Sequence, residues 1–157
     1  MRVLVVGASG AIGTRLVPQL MDRGHEVIGT FNSPGNAERV RALGAEAIAL
    51  DLLDPCAVRK AVLETQPDAI VHQATALADV RFSRNLDRSF APTNRLRTEG
   101  TDALLAAARE AGVHRFVAQS FASMRYARGR AGQDRGRPAR PHPAGIGAPD
   151  QRRDAPS

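Results

Sequence analysis

The sequence predicts an α/β domain built on a doubly wound parallel sheet of about five strands. Three observations lead there. Five short runs, "RVLVV", "HEVIGTF", "AEAIALD", "AIVHQA" and "RFVAQS", are β-branched or apolar and bounded by turn residues. The segments between them carry helical spacing, and strands that alternate with helices return the chain parallel, with both faces of the sheet covered. Finally, the first run leads directly into "GASGAIG", three glycines at a spacing of three.

In chain order, "RVLVV" is the first strand and "TRLVPQL" begins the first helix. Pro18 removes the amide that would bond the Thr14 carbonyl, at about 3 kcal/mol in an ordinary helix interior, so a kink rather than a break is expected. Gly24 stops that helix before "HEVIGTF". Ser33 with Pro34, and Asp54 with Pro55, have the form of an N-cap followed by proline in the first turn, opening the second and third helices. Gly44 ends the second helix before "AEAIALD". "AIVHQA" follows the third. In "NRLRTEGTDALLAAAREAG", read as a single fourth helix, Leu96, Gly100, Leu104, Leu105, Ala108 and Ala111 share one face. Gly100 there allows close approach to the sheet, and Gly112 stops the helix before "RFVAQS".

In a sheet of this kind the ligand lies beyond the carboxyl ends of the strands, where the strand order reverses, and the first strand-to-helix turn sits at that point. Gly7 permits a tight turn, Gly10 lets the backbone come near a pyrophosphate, and Gly13 lets the helix pack on the strand. The amides and dipole of the helix start favour an anion. The turn therefore reads as a dinucleotide-binding loop, with a purely structural glycine turn as the alternative.

Composition sets limits. A chain of 157 residues, 43% hydrophobic, has room for one domain with a core but not for a large second one. Cys56 is the only cysteine, which excludes a disulfide framework and a cysteine metal cluster; near a helix start it reads as a small packing residue, in a reducing compartment. The apolar run before Gly7 is too brief for a signal peptide or membrane span, so a cytoplasmic protein is expected. The formal charge of +6 is unevenly spread. Residues 1–123 carry 14 basic and 13 acidic side chains, whereas residues 124–157 carry 8 Arg against 3 Asp, with 5 Pro and 5 Gly. This tail has little apolar surface to offset the entropy of ordering itself, and disorder is expected there. Its charge alone does not make a nucleic-acid protein, since Tyr126 is its only aromatic residue and it holds no motif.

Gly-x-x-Gly-x-x-Gly, together with "GHEV", "LDLLD", "IVHQAT" and "EGTDALLAAAREAGVHRFVAQS", resembles the extended branch of the short-chain dehydrogenase/reductase superfamily, the NAD-dependent epimerases and dehydratases, over about residues 2–123. The resemblance implies a Rossmann-like fold over 1–123 that binds NAD(P), followed by the tail at 124–157. It implies that Gly7, Ser9, Gly10, Ala11, Ile12 and Gly13 form the pyrophosphate turn, that Asp51 and Leu52 stand at the adenine, and that His72, Gln73 and Ala74 line the nicotinamide side. Ser120 falls near the serine that polarises a substrate carbonyl or hydroxyl. The blander readings are a strand-end hydroxyl bonded to backbone for Ser120 and a satisfied core histidine for His72. At the end of the second strand the neutral Thr30, Asn32 and Ser33 stand where a carboxylate would hold the ribose 2′-hydroxyl, which favours NADP over NAD. The family's partners are a nicotinamide dinucleotide and a small-molecule substrate, such as a nucleotide sugar; neither nucleic acid nor membrane is expected.

The sequence also departs from this pattern. The superfamily's catalytic Tyr is followed four residues on by Lys, whereas Tyr126 is followed by Arg130 only shortly after Ser120, and the one lysine, Lys60, belongs to another helix. The family's substrate-binding half is replaced by the tail, which would leave the fifth strand an uncovered edge. A truncated cofactor domain with impaired chemistry is expected, or alternatively a non-catalytic NAD(P) sensor. The tail's Arg/Pro/Gly composition is also what GC-rich DNA yields in a shifted frame. One back-translation of Arg130–Ala144, moved by one nucleotide, reads Gly-Pro-Val-Lys-Thr-Glu-Asp-Asp-Pro-Leu-Asp-Pro-Thr-Pro.

Overall fold

The computed structural model describes residues 1–77 and 86–120. Among them five strands alternate with helices: β1 (Arg2–Val6), α1 (Gly13–Met21), β2 (Glu26–Phe31), a 3₁₀ turn (Pro34–Asn36) leading into α2 (Ala37–Ala42), β3 (Glu46–Ala49), α3 (Pro55–Thr65), β4 (Ala69–His72), α4 (Leu86–Arg97), α5 (Glu99–Glu110) and β5 (Arg115–Ala118). The strands form one sheet in the order β3-β2-β1-β4-β5. Every pairing is parallel, with Leu4 opposite both Ile28 and Ile70, and His72 opposite Ala118. This is the doubly wound, Rossmann-like arrangement. The chain moves outward from β1 to β3, then crosses back to β4 beside β1, so the winding reverses between β1 and β4.

Alternation along the strands divides the core into two layers. Leu4, Val6, Ile28 and Ile70 pack with Val58 and Val62 of α3 and Leu104, Ala107 and Ala108 of α5. Val3, Val5 and Val27 point the other way, toward Val17 of α1 and Val40 of α2. Both faces of the central strand are thus buried, which is why "RVLVV" is an unbroken apolar run.

Local chemistry accounts for the element ends. The Asp54 carboxylate accepts the amides of Cys56 at 2.9 Å and Ala57 at 3.2 Å, capping α3. Ser33, its counterpart in sequence, makes no side-chain cap bond. Helix α1 continues through Pro18 to Met21. Three expectations need correction. The fourth crossover is two helices that meet at Thr98, which stays in the right-handed region but with φ −100° and ψ −79° is displaced from regular helix geometry. The close approach that Gly100 permits is to the Leu52 side chain, whose Cγ lies 2.7 Å from where a Cβ would stand, rather than to the sheet. Cys56 is exposed and packs in no core layer. Tyr126, Arg130 and the tail 124–157 lie outside the described residues, which through Gln119 form one unit. No helix among the described residues is long and apolar enough to cross a membrane.

Candidate functional site

A cleft of about 430 Å³ opens beyond the carboxyl ends of the strands, within the size range of small-molecule sites. Its walls come from every strand end in turn. The β1 turn supplies Gly7, Ser9, Gly10, Ala11 and Ile12; β2 supplies Thr30, Phe31 and Asn32; β3 is followed by Leu50, Asp51 and Leu52. On the other side stand Gln73, Ala74, Thr75 and Leu77 after β4, Leu96 of α4, and Gln119 after β5.

The glycine turn is tied to the neighbouring strands. The Gly7 amide donates to Thr30 Oγ1 at 3.2 Å, and the Ala8 amide to the Thr30 carbonyl at 3.1 Å. Gly7 has φ +88°, and a Cβ there would lie 2.8 Å from the Ala74 backbone. At Gly13 a Cβ would lie 2.5 Å from the Gly7 and Ala8 carbonyl oxygens. Both positions therefore demand glycine for the protein's own packing. Gly10 differs: its conformation is ordinary, and the only neighbour a Cβ would meet is the Gly7 oxygen, at 3.3 Å. The missing side chain at Gly10 leaves space on the cleft wall. No side chain caps α1 and none in its first turn is acidic, so the positive end of the helix is unopposed by a protein carboxylate.

Asp51 and His72 are both engaged within the chain. Asp51 Oδ1 accepts the Leu53 amide at 2.9 Å, which fixes the turn after β3. His72 is 3% exposed. Its Nε2 donates to the Leu96 carbonyl at 3.2 Å, while Nδ1 accepts the Ala74 amide at 3.3 Å, a pairing that requires the neutral Nε2–H tautomer. Burial lowers its pKa; the bond to Leu96 opposes this and the charge of Arg97 adds to it. His72 thereby joins the end of α4 to the loop that passes over Gly7.

Of the residues singled out in the sequence, Gly7, Ser9, Gly10, Ala11, Ile12, Asn32, Asp51, Leu52, Gln73 and Ala74 come together on the cleft. Gly13 is buried behind the turn, Ser33 is exposed beyond β2, and His72 lies in the core. Ser120 is exposed, two residues past β5. Lys60 sits on α3, 3.8 Å from Glu64, and does not line the cleft. Thr30, read in the sequence with Asn32 and Ser33 as a neutral donor, also lines the cleft, whereas sequence reasoning passed over Gln119. Among the described residues no group of three or more His, Cys, Asp or Glu side chains could hold a metal ion.

Residues 3–142 match the model of the NAD dependent epimerase/dehydratase family. A 3-diazoavenalumate denitrifying reductase of a Streptomyces species is 45% identical over 122 residues, which cover 78% of this chain and 38% of that one. A 4-hydroxy-2-methyl-3-oxo-4-farnesyl-3,4-dihydroquinoline-1-oxide ketoreductase of Stigmatella aurantiaca is 36% identical, over 74% of this chain and 32% of that one. Among solved structures, the UDP-glucose 4-epimerase of Thermus thermophilus in complex with NAD superposes with a TM-score of 0.69 at 28% identity, covering 90% of this chain and 45% of that one. The chain spans less than half the length of each of these relatives.

Proposed function

Because the chain belongs to the NAD dependent epimerase/dehydratase family, we propose that residues 1–123 are the cofactor-binding half of an epimerase- or dehydratase-type oxidoreductase, taking NAD(P) across the cleft between β1 and β4. One observation carries the reading: a Cβ at Gly10 would meet only the Gly7 oxygen, at a tight 3.3 Å, and otherwise open cleft, beside an uncapped helix start. That combination suits the pyrophosphate. The adenine then lies toward Asp51 and Leu52, and the nicotinamide toward Gln73 and Ala74. Asn32, a neutral residue at the rim where a carboxylate would reject a 2′-phosphate, favours NADP. In a complete enzyme Ser120 would polarise the carbonyl or hydroxyl of a small substrate, with nucleotide sugars one class. We read the protein as cytoplasmic.

A second reading, binding without turnover, is favoured by the position of the sole lysine on α3 outside the cleft. Fluorescence titration tests the binding. The fluorescence of NADPH should respond to the chain at lower chain concentration than that of NADH. Gly10→Asp should fold, since its Cβ meets only one oxygen at 3.3 Å, yet lose at least tenfold in affinity because a carboxylate meets the pyrophosphate. Unchanged affinity in a folded Gly10→Asp chain would sink the assignment of this turn.

A further inference from the structure

Two side-chain oxygens on the cleft are buried without any hydrogen-bond partner: Oε1 of Gln73 and Oε1 of Gln119. They occupy equivalent places. β4 and β5 pair in parallel with His72 opposite Ala118, and each glutamine is the first residue past its strand. The ladder continues through both, since the Gln73 amide donates to the Val6 carbonyl at 2.8 Å and the Gln119 amide to the His72 carbonyl at 3.0 Å. With period-two alternation the two side chains leave the sheet on the same side, opposite to His72. Burying an amide oxygen unpaired is costly, and here two neighbouring strand ends each do so on the wall of one cleft.

We propose that Gln73 and Gln119 form a paired amide receptor for a primary carboxamide, the head of the nicotinamide ring. The inference rests on the cofactor reading above. A dinucleotide whose adenosine half lies at the β2 and β3 ends has its other half at the β4 and β5 ends. There a carboxamide offers both a donor NH₂ and an acceptor oxygen, so it complements a glutamine amide in either orientation of that amide. A hydrophobic rim would hold the ring without fixing its rotation. Two amides hydrogen-bonded to the carboxamide decide which face of the ring is presented to a substrate.

The test uses the full chain, with Gln73→Met and Gln119→Met, which keep the side-chain volume and remove the amide. Calorimetric titration with NADPH should show each substitution weakening binding about five- to tenfold, as expected for one lost hydrogen bond. Affinity for 2′-phospho-ADP-ribose, which lacks the nicotinamide, should be unchanged. The 3-acetylpyridine analogue, with a methyl in place of the NH₂, should bind the parent chain less tightly and lose less on substitution. Removing an unpaired buried oxygen should also raise the Tm of the ligand-free variants. Equal loss for NADPH and 2′-phospho-ADP-ribose would make the glutamines merely structural, and unchanged NADPH affinity would overturn the receptor. If the parent chain binds neither NAD(P)H nor the corresponding ADP-ribose, the cofactor reading itself falls and the receptor with it.

Discussion

At His72 burial and hydrogen bonding fix a protonation state with a consequence for pH. Desolvation holds its pKa below the ordinary 6.5, so the folded chain binds a proton there less readily than the unfolded chain. Its contribution to stability is complete above pH 6.5 and is lost as pH falls from there toward the depressed folded value. Protonation would also put a donor where Nδ1 now accepts the Ala74 amide, loosening the loop packed over Gly7. Thermal denaturation between pH 7.5 and 5 should therefore show Tm falling with acidity, and His72→Gln, which cannot take up the proton, should flatten that fall. Equal slopes in the two chains would remove His72 as the cause. The sequence allowed either a cofactor residue or a core histidine at this position; the hydrogen bonds to Leu96 and Ala74 give it a structural role. Gly10 was legible because strand, turn and helix fix its surroundings within a dozen residues. Gln119 was not, because its unpaired oxygen arises from β4, β5 and the cleft wall meeting in space.

The same limit holds for whole elements. Ser33-Pro34 and Asp54-Pro55 carry the same helix-start signal, yet only Asp54 accepts amides from the helix it opens. The difference lies beyond the dipeptide: Asp54 leads directly into the eleven-residue α3, whereas Ser33 leads into a 3₁₀ turn before the six-residue α2. Asp54→Ala should cost about 1 kcal/mol, while Ser33→Ala should be nearly neutral, as urea denaturation of the two variants would show. Similar losses in both would mean that the Asp54 bonds contribute little. The strands and their parallel pairing could be read from the apolar runs, since a buried parallel sheet leaves few other patterns open, whereas the spatial order β3-β2-β1-β4-β5 came from the structure. The break between α4 and α5 was hidden because "RTEG" contains no proline, and Thr98 weakens a helix only modestly. Arg95 and Glu99 pair across that break at 2.8 Å on the surface, an i,i+4 spacing that in sequence looks like continuous helix.

For the molecule as a whole, the sheet of the described residues ends at β5, where Val117 is 57% exposed. An open edge of that kind invites pairing. The sequence that follows is poor in apolar side chains: residues 124–157 hold 8 Arg, 5 Pro and 5 Gly, and Ile146 is the only sizeable aliphatic residue after Met124. The family match nevertheless runs to residue 142, beyond the composition change. We propose that a one-nucleotide change of frame near Tyr126, rather than a natural extension, accounts for the abrupt change in composition. Arginine makes up all but one of the 22 basic residues, a bias of GC-rich coding, and shifted frames of such DNA stay open and rich in Arg, Pro, Gly and Ala. The acidic, proline-containing reading available for Arg130–Ala144 is suited to a surface loop after a strand. Sequencing the coding DNA across Tyr126 should therefore reveal an open alternative frame. The 157-residue chain should bind NAD(P)H with negligible turnover, and the chain made from the restored frame should gain oxidoreductase activity on a carbonyl or nucleotide-sugar substrate. A stop codon soon after Tyr126 in the shifted frame would refute this account, as would substantial turnover by these 157 residues alone, because either would make the arginine-rich tail the protein's own.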